Sequence, residues 1–70
     1  MNHIANNIRE ERERQGLTQT DLAIATNLQA SAISHFECGR RTPSVGNLIK
    51  IAYALRVSID RLCGLEADHG

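Results

Sequence analysis

Three histidines, His3, His35 and His69, and two cysteines, Cys38 and Cys63, are the side chains of this 70-residue sequence that could ligate a metal or act as nucleophiles. Their spacing suits neither task. Two cysteines are too few for a disulfide scaffold or a four-ligand zinc site. The histidines stand more than thirty residues apart, and His3 and His69 lie near the ends, where chains fray. No glycine-rich phosphate loop, no Cys/His dyad and no carboxylate pair suited to a pocket wall is present. Neither an enzyme nor a metal or cofactor is expected, and both thiols are expected free in a reducing cytoplasm.

The charged side chains are more informative. Eight Lys and Arg balance eight Asp and Glu, a net charge of zero. That sum argues against nucleic acid, whose binding domains often have a pI above about 9. The distribution argues the other way. Residues 22–59 hold Arg40, Arg41, Lys50 and Arg56 against Glu37 alone, while the acidic excess sits at the two ends. The run from Arg9 to Arg14 alternates Arg and Glu, which usually marks a solvated helix face.

Short helices must carry these groups. Hydrophobic residues make up 41% and charged residues 23%, the mixture of one small globular domain. No apolar run approaches the roughly 18 residues of a membrane span, and no signal-peptide core opens the chain. A first helix fits residues 2–15 and stops at Gly16. Thr18 with Asp21 forms a capping-box pattern, and Leu17 with Leu22 a hydrophobic staple, opening a second helix. Asn27 tolerates a left-handed turn. A third helix fits 29–37, with Ile33 and Phe36 inward. Ser44 caps a fourth, whose Leu48, Ile51, Ala52 and Leu55 form an apolar stripe. Ser58 caps a short fifth, stapled by Val57 and Leu62, and residues 67–70 are expected to fray. No strand pattern competes, so the expected class is all-α with five helices.

The second and third helices, joined by a three- or four-residue turn, form a helix-turn-helix pattern, with Ala23, Asn27 and Ile33 at the crossing, the turn and the lock. The flanking residues extend the match. Gly16-Leu17-Thr18-Gln19-x-x-Leu22-Ala23, then Ala32-Ile33-Ser34-x-x-Glu37-x-Gly39-Arg40-Arg41-x-Pro43-Ser44, then Leu48-x-x-Ile51-Ala52-x-Ala54-Leu55-x-Val57-Ser58 closely resembles the phage repressor and Cro type helix-turn-helix family. The resemblance covers residues 4–65. It implies a lambda-repressor-like five-helix domain that binds operator DNA, usually as a two-fold dimer. Restriction–modification controllers, phage repressors and plasmid regulators all fit.

The resemblance also implies roles. Gln19 would grip a phosphate and brace the recognition helix. Gln29, Ala30, Ser31 and His35 would face base edges. Cys38, Gly39, Arg40 and Arg41 would approach the backbone or groove edge, with Ser44 at a helix start adding amide contacts. The chemistry is compatible: Gln pairs bidentately with adenine, Ser with any base, and an Ala methyl suits the thymine methyl. The family also pairs an Arg of the first helix with the Glu ending the third, here Arg12 and Glu37, so a partly buried ion pair is expected.

Four positions depart from the family pattern. Asn27 replaces the turn Gly, Gln29 a Ser or Thr cap, and Cys38 the common Asn. Glu11 replaces a Leu, which puts a charge where the first helix would otherwise pack against the C-terminal residues. For the homodimer, Arg56, Val57, Ile59, Leu62 and Leu65 are the expected interface. No membrane partner and no small-molecule ligand are expected, because the domain leaves no room for a sensing module. The alternative reading is a protein-interaction module on the same fold, which the zero net charge supports and which Gln19, Arg40 and Arg41 oppose.

Overall fold

The computed structural model describes residues 3–65. Five helices follow in order: α1 (His3–Arg14), α2 (Gln19–Thr26), α3 (Ala30–Cys38), α4 (Val45–Leu55) and α5 (Ile59–Cys63). Among the described residues there is no strand. The expected fraying of residues 67–70 lies outside them, as does His69, whereas His3 is the first residue of α1.

Local chemistry sets each boundary. The Thr18 hydroxyl accepts from the Asp21 N–H at 3.0 Å and the Thr18 N–H donates to the Asp21 carboxylate at 2.9 Å, so both halves of the capping box are made. Ser44 and Ser58 accept from the N–H groups of Asn47 and Arg61 and start α4 and α5 in the same way. At the other ends the chain turns through left-handed residues, Asn27 (φ 58°) after α2 and Arg56 (φ 59°) after α4. An arginine there meets the steric clash that glycine escapes, at a cost of about 1 kcal/mol.

The core is aliphatic. Ile8, Leu22, Ile33, Ile51, Leu55 and Leu62 are fully buried, and Ala23, Phe36, Leu48 and Ala52 complete the cluster. Leu62 is thereby removed from the expected dimer surface. As the fourth residue of α5 it is turned into the protomer's own core and is 0% exposed. Val57 is half-buried against the same core, leaving Arg56, Ile59 and Leu65 exposed.

A row of polar side chains holds the C-terminal part. Asn7 and Glu11 of α1 and Gln15 just past its end recur every four residues, so they fall on one side. The Asn7 amide donates to the carbonyls of Leu62 at 2.9 Å and Arg61 at 3.4 Å. Glu11 accepts from Arg61 Nε at 3.0 Å and pairs with Arg14 at 3.0 Å. The Gln15 amide donates to the Leu55 carbonyl at 2.6 Å. The solvated reading of the Arg–Glu run is therefore corrected for Glu11, which is buried. Where the family's leucine would pack by apolar surface, this chain has an ion pair from α1 to α5.

The second tie crosses from α1 to α3. Arg12 donates through Nε and Nη2 to the two oxygens of Glu37 at 2.7 and 2.9 Å, and through Nη1 to the Leu17 carbonyl at 2.7 Å. The side chains are only 11% and 3% exposed. Hydrogen bonding to Glu37 holds the Arg12 guanidinium above its ordinary pKa, more than offsetting the desolvation that works against it.

Removing one partner strands the other as a buried charge, so Arg12→Ala or Glu37→Ala is expected to lower the unfolding free energy in urea by about 3–5 kcal/mol. The double substitution Arg12→Met with Glu37→Leu is expected to cost less than either single change. A second expectation concerns acid. Hydrogen bonds from the Thr18 backbone and side chain hold the Asp21 carboxyl below its usual value of 3.8. A depressed folded pKa gives stability that is present above the unfolded value and lost as pH falls through the folded one. The gap in urea midpoint between the parent and Asp21→Ala is therefore expected to be full at neutral pH and to close well below pH 3.8.

Candidate nucleic-acid interface

The turn between α2 and α3 is compact because Asn27 takes the left-handed conformation and the Leu28 N–H returns to the Ala23 carbonyl at 2.9 Å. Thr26, buried at the end of α2, satisfies its hydroxyl on the carbonyls of Leu22 and Ala23. Ala23 is buried, as a close helix crossing requires.

With Ile33 and Phe36 packed into the core, the opposite side of α3 faces outward. Gln29, Ala30 and Ser31 are exposed, and His35, one turn further along, is half-buried. Gln29 occupies the N-cap without a side-chain capping bond, so its amide is not committed to the helix.

Gln19 opens α2 and is half-buried. Its amide nitrogen donates to Glu37 Oε1 at 3.1 Å. Glu37 thus joins three elements, α1 through Arg12, α2 through Gln19 and α3 through its own backbone. An amide NH2 group has two hydrogens, and Glu37 takes one of them.

Beyond α3, Gly39 is left-handed at φ 80°, and the N–H groups of Arg40 and Arg41 both return to the His35 carbonyl, at 3.0 and 3.3 Å. The loop folds back on the helix end and leaves Cys38, Gly39, Arg40 and Arg41 exposed. Pro43 is buried and anchors the loop before Ser44, whose hydroxyl is used in capping α4. Glu37, the one carboxylate between residues 22 and 59, is neutralised by Arg12, and among the described residues Arg40 and Arg41 have no ion-pair partner.

Gln29, Ser31, Arg40 and Arg41 therefore lie along and just past one helix, whereas Arg56, Ile59 and Leu65 belong to the α4–α5 end. Sequence reasoning missed the tie from Glu11 to Arg61, although the four-residue recurrence of Asn7, Glu11 and Gln15 was a signal that could have found it. It also gave no role to the exposed apolar residues of α4. Among the described residues no group of His, Cys, Asp and Glu could hold a metal, and no helix is long and apolar enough to cross a membrane.

The helix-turn-helix family model matches residues 8–62. The cryptic phage CTXphi transcriptional repressor RstR of Vibrio cholerae is 34% identical over 61 residues, covering 87% of this chain. The chain spans about half of that relative's length, 54%. The crystal structure of the restriction-modification controller protein C.AhdI from Aeromonas hydrophila superimposes with a TM-score of 0.84 at 33% identity, over 87% of this chain and 92% of the other. The P22 c2 repressor, solved in complex with a synthetic operator, superimposes with a TM-score of 0.84 at 27% identity, over 90% and 96%. The fold, the turn geometry and these likenesses agree: the chain belongs to the helix-turn-helix family of phage repressor and Cro type, whose members are transcription regulators and not enzymes.

Proposed function

We propose that the chain is a sequence-specific regulator that binds a roughly palindromic operator as a homodimer, with α3 in the major groove. The observation that carries this reading is the open side of α3, where Gln29, Ala30 and Ser31 stand exposed, with Arg40 and Arg41 beyond its end and without an ion-pair partner among the described residues. Gln29, Ala30, Ser31 and His35 read base edges. Gln19 offers its second amide hydrogen to a phosphate while Glu37 holds the first. Arg40 and Arg41 take backbone phosphates, and the backbone of Cys38, Gly39 and Ser44 completes the clamp. Cys38 supplies no amide side chain, so its contact is made by the main chain.

A two-fold pair sets its recognition helices about 34 Å apart, one turn of duplex. Arg56, Val57, Ile59 and Leu65 form the contact between copies in this reading, with Leu62 beneath them as core. Regulation then follows concentration, as the protein crosses its dimer and operator constants in the cytoplasm. The RstR repressor and the operator-bound P22 c2 repressor support the assignment by likeness.

Binding to random duplex is expected to weaken steeply between about 50 and 200 mM salt, since each neutralised phosphate releases a counterion. Arg40→Ala should weaken all sequences alike and shallow the salt slope by about 1, whereas Ser31→Ala or His35→Ala should relax preference at particular base pairs by about 1–3 kcal/mol. Selection from random duplexes followed by salt titration reads both. Absence of duplex binding at low salt would leave the protein-interaction module as the better reading.

A further inference from the structure

One left-handed turn is filled against type. Among the described residues five positions have positive φ, and four of them hold residues that tolerate it: Gly16, Asn27, Gly39 and Gly64. The fifth is Arg56, at φ 59° after α4. Its backbone N–H closes α4 onto the carbonyls of Ala52 and Tyr53, which glycine would do with less strain. Its side chain is exposed and, among the described residues, has no ion-pair partner. Nothing within the protomer therefore accounts for an arginine in this turn. Backbone strain with no local compensation points to a functional position.

A matching anion stands close by in the chain. Between residues 22 and 65 the acids are Glu37, which Arg12 neutralises, and Asp60. Asp60 is exposed in the first turn of α5 and also lacks an ion-pair partner among the described residues. Two positions along a helix turn by about 200°, so with Leu62 fully buried Asp60 faces away from the core. Arg56 and Asp60 do not close on each other, because the left-handed turn and the Ser58 cap interrupt the helix between them. Ile59 lies between them in sequence, 37% exposed, and Leu65 beyond them, 73% exposed. Arg61, the remaining charge of α5, is held by Glu11.

We propose that Arg56 and Asp60 pair crosswise between two copies of this chain, Arg56 of each with Asp60 of the other. A two-fold contact sets residue i of one copy against residue j of its partner and j against i. One free cation and one free anion on the same patch meet that condition with both signs matched, and the apolar surface of Ile59 and Leu65 closes beside them. The inference rests on the homodimer reading above and adds to it what fixes the alignment of the copies. The arginine is kept in its strained turn for this contact.

Sedimentation equilibrium of the full chain over a concentration series in low salt reads the dimer constant. Arg56→Asp sets acid against acid and Asp60→Arg sets base against base, so each is expected to weaken self-association at least about tenfold. Mixed together, the two variants are expected to associate at least as tightly as the parent, since one carries two acids on the patch and the other two bases. A variant that had merely failed to fold would not be rescued in this way. Arg56→Gly should weaken the dimer while the dilute monomer melts no lower than the parent. The pairing is overturned if either charge reversal leaves the dimer constant unchanged or if the mixture does not associate. It is also overturned if Arg56→Gly lowers the monomer's melting temperature, which would give the side chain a task in its own fold. In all three cases a dimeric parent leaves the homodimer reading standing. A parent that stays monomeric up to about 1 mM overturns that reading, and the pairing with it.

Discussion

The Glu37 carboxylate sits at 3% exposure inside a domain of five short helices. Leaving such a group unmatched would cost several kcal/mol, a large share of what a domain this small can hold in reserve. Arg12 answers it with two hydrogen bonds from α1, and Gln19 adds a third from α2. Because Glu37 belongs to α3, this one anion fixes the angle at which the proposed recognition helix leaves the body. A hydrophobic contact could hold the helices together, but it would tolerate small rotations. The bidentate geometry of guanidinium and carboxylate is directional and tolerates little.

The same pair shapes the surface field. A chain with no net charge can still present a positive face if its anions are neutralised locally and its cations are not. Arg12 cancels Glu37 within the core, and Arg14 and Arg61 meet Glu11 on the far side of α1. Arg40 and Arg41 have no such partner in the described structure and sit at the loop beyond α3. Net charge thus says little here, and placement says nearly everything.

Much of this was legible from residue types alone. Thr18 with Asp21, Ser44, Ser58 and Asn27 mark their helix ends because capping and left-handed turns depend on two or three adjacent residues. The exposed positions of α3 follow from the inward period of Ile33 and Phe36. What escaped depends on contacts distant in sequence. Asn7, Glu11 and Gln15 look like a solvated face until α5 and the end of α4 arrive beside them, some forty to fifty-five residues later. Leu62 reads equally well as interface or core, since both are apolar, and only the packed arrangement separates them. Val45, Ile49 and Tyr53 escaped for a related reason: the stripe of Leu48, Ile51, Ala52 and Leu55 accounts for α4 as a core helix and leaves its outer side unquestioned.

The polar row on α1 has a bearing on how α5 finds its seat. Attraction between greasy surfaces fades gradually as one slides over the other, so it admits neighbouring alignments of similar energy. The Asn7 and Gln15 amides donate to single carbonyl oxygens of Leu62 and Leu55, Arg61 donates to Glu11, and these bonds weaken steeply once the geometry is disturbed. Sliding α5 by one helical turn would break its bonds to Asn7 and Glu11 together. A five-residue helix, too short to be held in place by its own hydrogen bonds, is in this way tied to its observed register by directional bonds as well as by apolar contact.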